Sequence, residues 1–140
     1  LFRHPLKWVI EHLNAYPISR DSGDLAALRL AQGLLKQGKV VVLFPEGTRS
    51  SDGRTQEFKS GVGMLAARSG APVVPAYIQG AFNCWPRHKS LPKPGRIRIV
   101  YGEPVLPGNY DSASSRRGNF VRITLEIEKR VKNLEKKFIL

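Results

Sequence analysis

Leu25, Leu28, Ala31, Leu34 and Leu35 fall on one face at helical spacing. They predict an amphipathic helix with Asp24 as its N-cap and Gly38 at the left-handed position that closes a helix. An earlier helix, carried by Leu6, Val9, Ile10 and Leu13, tolerates Pro5 in its first turn and is closed by Pro17, leaving residues 15–19 extended. After Gly38 the pattern changes. Val40-Val41-Val42-Leu43-Phe44 is apolar without interruption, as in a strand covered on both faces, the usual situation in parallel sheets. A polar loop over residues 48–55 precedes a short helix over 61–69 capped by Gly70, and residues 72–78 read as a second buried strand. Ile97, Ile99 and Tyr101 alternate with Arg96, Arg98 and Val100 in a third strand, nearer an edge. Phe120, Ile123, Ile127, Val131, Leu134 and Phe138 then advance by three or four through a basic amphipathic helix at about 112–138. The order predicts one α/β domain over residues 1–140, with a mixed, mostly parallel sheet flanked by helices.

The 140 residues suffice for one domain, and the balance of 41% hydrophobic to 24% charged residues excludes disorder as the main state. Cys84 is the only cysteine, which excludes a disulfide scaffold and makes a reducing intracellular setting the default expectation. The 23 basic residues outnumber the 11 acidic ones, giving a net charge of +12. Such an excess favours polyanionic neighbours: nucleic acid, an anionic membrane surface or phosphorylated small molecules. The longest apolar run is the five residues 40–44, against the ~20 a spanning helix needs. The chain starts at Leu1 with no signal-peptide pattern, which suggests a piece of a longer protein.

Two phosphate-binding patterns fail on context. Gly33-Leu-Leu-Lys-Gln-Gly38-Lys39 ends a helix and precedes a strand, the reverse of a phosphate loop, and Val40 stands where a metal-holding hydroxyl belongs. Gly61-Val-Gly63-Met-Leu-Ala66 lacks a convincing preceding strand, and no acid lies between Glu57 and Glu103 to hold a ribose. Its two glycines read instead as a place where a helix approaches its neighbours closely. No serine-hydrolase elbow is present, and His4, His12, His88 and Cys84 show no metal-ligand spacing.

The chemistry concentrates in Phe44-Pro45-Glu46-Gly47-Thr48-Arg49-Ser50, at the carboxyl end of the Val-rich segment, where open α/β sheets bind ligands. Pro45 ends a strand ladder, and Gly47 permits unusual backbone angles or a close ligand approach. Arg49 offers a planar fork of donors matched to phosphate, and Glu46 can accept from a hydroxyl or orient Arg49. An Arg–Glu pair that merely pins a surface turn explains the same residues.

These seven residues resemble the signature of glycerolipid acyltransferases of the 1-acyl-sn-glycerol-3-phosphate (PlsC) type. Three neighbouring blocks agree in order: Ala15-Tyr16-Pro17-Ile18-Ser19-Arg20, Phe58-Lys59-Ser60-Gly61 and Val73-Val74-Pro75-Ala76-Tyr77-Ile78. The resemblance implies a lysophosphatidate-like acceptor, an acyl thioester donor on coenzyme A or acyl carrier protein, and phosphatidate as product. It implies no metal or bound organic cofactor. Glu46, Gly47, Thr48 and Arg49 would form the glycerol-phosphate subsite, with Arg20 adding a second positive charge and Lys59 a weaker candidate for the same phosphate. Pro75 would shape the pocket, on the acyl side. The family's H-x-x-x-x-D block is missing, because positions 9, 17 and 93, five after each histidine, hold Val, Pro and Lys. The expectation is a domain truncated at its N-terminus, without the catalytic His and Asp and inactive or nearly so on its own.

Residues 87–98 carry five cations and no acid, and the segment from Arg116 carries eight against Glu126, Glu128 and Glu135. Solvated faces are the ordinary explanation. With a lysolipid acceptor, the loop also suits an anionic leaflet, flanked by Phe82 and Trp85, and a peripheral position on the cytoplasmic side of a membrane is expected. The rivals are a non-catalytic phospholipid-binding module and a nucleic-acid-binding module; no nucleic-acid motif is present, so nucleic acid is not expected as a partner.

Overall fold

The computed structural model describes residues 23–110 and 116–139, so the predicted helix around Leu6–Leu13, the connector at 15–19 and Arg20 lie outside the described residues. Helix α1 spans Gly23–Lys36, one residue earlier than an N-cap at Asp24 would place its start. Its apolar stripe buries Ala31 and half-buries Leu28, Leu34 and Leu35. The helix stops as expected. Gly38 takes φ +73°, its N–H donates to Leu35 O at 3.0 Å, and the Lys39 N–H donates to Leu34 O at 3.1 Å. This pair of bonds satisfies carbonyls that the helix end would otherwise leave bare.

The Val-rich segment departs from expectation. Residues 40–44 form no strand, and Val40, Val42 and Phe44 are 93%, 78% and 69% exposed. A strand exists only where a neighbour takes its hydrogen bonds, and the one described sheet has two strands, neither beside this segment. Strand β1, Ala76–Gln79, pairs antiparallel with β2, Arg98–Tyr101, placing Ala76 opposite Tyr101 and Ile78 opposite Ile99. An antiparallel bridge between Val73 and Val105 prolongs the pairing. The α/β class stands, but the expected parallel strands do not occur among the described residues. Residues 72–78 are covered on one face only: Pro75 and Tyr77 are buried, while Val74 and Ile78 remain partly open.

Helix α2 spans Gly61–Ser69 and closes at Gly70, as predicted, with the Gly70 N–H donating to Ala66 O at 2.9 Å. A short helix α3, Ala81–Cys84, follows β1, and a 3-10 turn occupies Pro107–Tyr110. Helix α4 runs Arg116–Ile139. Its predicted stripe makes the core: Ile123, Ile127 and Val131 are buried with Phe58, Ala66, Tyr77 and Val105, and Leu134 and Phe138 pack against them. Both glycines of the rejected dinucleotide pattern serve close packing. A Cβ at Gly61 would stand 3.2 Å from the Leu28 side chain, and one at Gly63 would overlap Phe120 O and Thr124 Oγ1 on α4.

Candidate functional site

Pro45 and Gly47 shape the turn that follows residues 40–44. The Gly47 N–H donates to Phe44 O at 3.0 Å, and Gly47 adopts φ +70°, a conformation that side chains with a Cβ resist. The absent side chain also makes room. A Cβ at position 47 would lie 2.9 Å from Lys59 Cε and 3.0 Å from Lys59 Nζ, so the ammonium sits directly over this glycine. The Lys59 N–H donates to Pro45 O at 3.0 Å, fixing the two segments from the backbone side as well. Lys59 thus joins the turn.

Glu46 does not pair with Arg49. Its carboxylate accepts the Gln56 N–H at 3.0 Å, so it braces the return of the loop. Within the loop, Ser50 Oγ accepts the Gly53 N–H at 2.9 Å and Asp52 accepts the Arg54 N–H at 3.0 Å. The hydrogen bond from the Arg54 backbone, helped by that from Ser50, holds the Asp52 carboxyl below its ordinary value. The reading of an Arg–Glu pair pinning the turn is therefore corrected, because Glu46 and these loop bonds do the pinning. Arg49 instead lays its guanidinium over the Trp85 ring, 5.0 Å from the centroid, with Nη2 3.5 Å from Arg87 O. Thr48 and Arg49 are exposed.

Pro75 is fully buried next to the Val73–Val105 bridge, and its carbonyl accepts the Gly102 N–H at 2.8 Å. Pro75 is not among the residues that line the groove bordered by Lys59. That groove, about 580 Å³, lies among α1, α2 and α4 and is lined by Leu25, Leu28, Met64, Phe120 and Val121 together with Lys59 and Arg117. An apolar trough that shares a cation with a polar turn suits an amphiphile with an anionic head. Among the described residues, no three His, Cys, Asp or Glu gather as metal ligands.

Two acids of α4 hold the loop from behind, and the sequence reading missed both. Glu135 Oε1 accepts the Thr55 N–H at 3.1 Å, and Glu128 Oε2 accepts the Phe58 N–H at 2.9 Å. Their spacing of seven, two helical turns on one face of an otherwise basic helix, was the available signal. At Glu128, desolvation opposes ionisation, but hydrogen bonds from Lys132 and the Phe58 N–H and the Lys132 charge outweigh it, so its pKa lies below the ordinary carboxylate range. A carboxylate with a depressed folded pKa stabilises the fold above its unfolded pKa and loses that contribution as pH falls through the folded one. Glu128→Gln should therefore lower the denaturation midpoint at pH 7, and the gap from the parent should narrow on acidification below about 4.5. A gap that does not change with pH would remove this linkage.

The Acyltransferase family model matches residues 1–79, more than half of the chain and all of the turn, Lys59 and β1. This chain belongs to the acyltransferase family. It is 30% identical over 134 residues to the 1-acyl-sn-glycerol-3-phosphate acyltransferase of Bacillus subtilis (strain 168), covering 94% of this chain and 64% of that one. It is 38% identical over 98 residues to the protein of the same name from Pseudomonas aeruginosa, covering 68% and 38% of the two chains. The crystal structure of the 1-acyl-sn-glycerophosphate (LPA) acyltransferase PlsC from Thermotoga maritima superposes with a TM-score of 0.69 at 32% identity. That alignment covers 96% of this chain and 54% of the other. This acyltransferase-family chain thus spans 64%, 38% and 54% of the lengths of the Bacillus, Pseudomonas and Thermotoga proteins. The resemblance first seen in residues 44–50 is borne out, and the fold that carries it is the acyltransferase fold in part.

Proposed function

We propose that this chain supplies the acceptor subsite of an enzyme that acylates the free hydroxyl of 1-acyl-sn-glycerol 3-phosphate. In that reaction the hydroxyl oxygen forms an ester with the acyl carbon of acyl-CoA or acyl carrier protein. The C–S bond breaks, and the hydroxyl proton ends on the departing thiol. The observation that supports this reading best is Lys59, which lies over Gly47 of the turn that carries Arg49 and also borders an apolar groove, although none of residues 46–49 lines that groove. Arg49 and Lys59 would take the phosphate, Thr48 its adjoining oxygens, and Arg20 would add charge. Glu46 would act by holding the turn open.

No histidine here has an acid five positions on, and a general base supplies about 10²–10⁴-fold of such a rate. The chain alone is therefore expected to bind acceptor with little or no turnover. The partner surface would be an anionic leaflet on the cytoplasmic side. Residues 87–98 are exposed throughout, with Leu91 80% exposed among Arg87, Lys89, Lys93, Arg96 and Arg98. Phe82 and Trp85, expected to flank that contact, face the signature loop instead, Phe82 against Gly53 and Trp85 against Arg49. No described helix is long and apolar enough to cross a membrane.

The test is titration of the chain with phosphatidylcholine vesicles carrying lysophosphatidate, the same vesicles carrying monoacylglycerol, and an oligonucleotide, all at one salt concentration. Preference for lysophosphatidate is expected. Equal binding of the two vesicles, with tight and steeply salt-dependent oligonucleotide binding, would overturn the reading in favour of a nucleic-acid module.

A further inference from the structure

Arg49 carries a long, exposed side chain with no acid paired to it among the described residues, yet phosphate recognition by a guanidinium depends on the direction of its donors. The loop after α3 supplies a fixed surface. The Trp85 amide donates to Ala81 O at 2.9 Å, ending α3, while the indole Nε1–H donates to Lys89 O at 3.0 Å. The Lys89 N–H closes a turn onto Pro86 O at 3.0 Å, and the Lys93 N–H returns to Cys84 O at 2.8 Å. The indole is thus held at its backbone end and at its ring nitrogen, with one face left for the Arg49 guanidinium.

We infer that Trp85 is a positioning residue for acceptor-phosphate binding, holding the Arg49 fork by its face so that its donors stay aimed at the phosphate. This rests on the proposed role of Arg49. The physical reason is geometric: a guanidinium's N–H groups radiate in its plane, so stacking on an aromatic face uses none of them. Arg87 O engages only Nη2, leaving the other donors of the fork for phosphate oxygens. A pair that served stability alone would have no bearing on which lipid headgroup is bound.

The test uses the full chain with 1-palmitoyl lysophosphatidate as probe and 1-palmitoylglycerol as its phosphate-free control. Trp85→Leu keeps an apolar side chain but has no π face, and Trp85→Phe keeps the face; urea midpoints report whether each variant folds. Trp85→Leu is expected to bind lysophosphatidate about tenfold more weakly and 1-palmitoylglycerol unchanged, with Trp85→Phe, which keeps a ring face but loses the Nε1–H bond to Lys89 O, recovering part of the loss. Arg49→Ala with Trp85→Leu should bind no more weakly than Arg49→Ala alone. Additive losses, or a Trp85→Phe as weak as Trp85→Leu, would overturn the inference while leaving Arg49 in place. Unchanged binding by Arg49→Ala would instead bring down the phosphate reading on which it rests.

Discussion

A single methyl group at position 63 is expected to cost the fold about 3 kcal/mol or more. Gly63 is buried where α2 crosses α4, and a Cβ there would overlap the Phe120 carbonyl oxygen and the Thr124 hydroxyl. The Thr124 hydroxyl already donates to Phe120 O at 2.8 Å, so neither group can rotate away without breaking a buried hydrogen bond. The helices must separate instead, and they carry Ala66, Ile123 and Ile127 of the core with them. Against a total stability on the order of 5–15 kcal/mol, that loss would leave Gly63→Ala largely unfolded by moderate urea. Gly33→Ala is the matched control. Nothing lies within 4 Å of a Cβ built there, in the last turn of α1, so it should gain up to roughly 0.5–1 kcal/mol from helix propensity. Urea midpoints for the two variants would refute the packing argument if both shifted in the same direction.

Loss of the guanidinium at position 49 should be the largest functional defect. Hydrogen bonds to charged groups contribute about 1.5–3 kcal/mol each, so Arg49→Ala should weaken lysophosphatidate binding roughly 10- to 150-fold. Arg49 is exposed and stacked rather than built into the core, so its removal should leave the urea midpoint nearly unchanged. Arg49→Lys keeps the charge but loses the planar fork and should fall between the two. Isothermal titration at fixed salt distinguishes these outcomes, and an Arg49→Ala that binds like the parent would remove Arg49 from the phosphate role.

Legibility differed from one element to the next for physical reasons. Helix α1, its Gly38 stop, α2 with Gly70, and the stripe of α4 were readable because helical periodicity and glycine caps are local properties of the chain. The signature residues 44–50 were readable as chemistry, and so was the nearness of Lys59 as a candidate. Their roles were not. From sequence Glu46 can accept from a hydroxyl or orient Arg49, and the fold gives its carboxylate to the Gln56 amide, 10 positions along. Pro75 reads from the family resemblance as a pocket residue, and the fold adds only that it is fully buried.

Residues 40–44 show the limit most clearly. An unbroken apolar run reports that a segment can be buried, not that a neighbour is at hand, and here Val40 is 93% exposed. The family's signature, the helical stripes and the basic excess were determined by the amino-acid sequence alone, because each is a property of residue type and spacing. The antiparallel pairing of β1 with β2, the grip of Glu128 and Glu135 on the loop, and the seat of Arg49 on Trp85 were decided only by tertiary structure. Those contacts join residues 19 to 80 positions apart, and chain closure over such distances leaves no local periodicity to read.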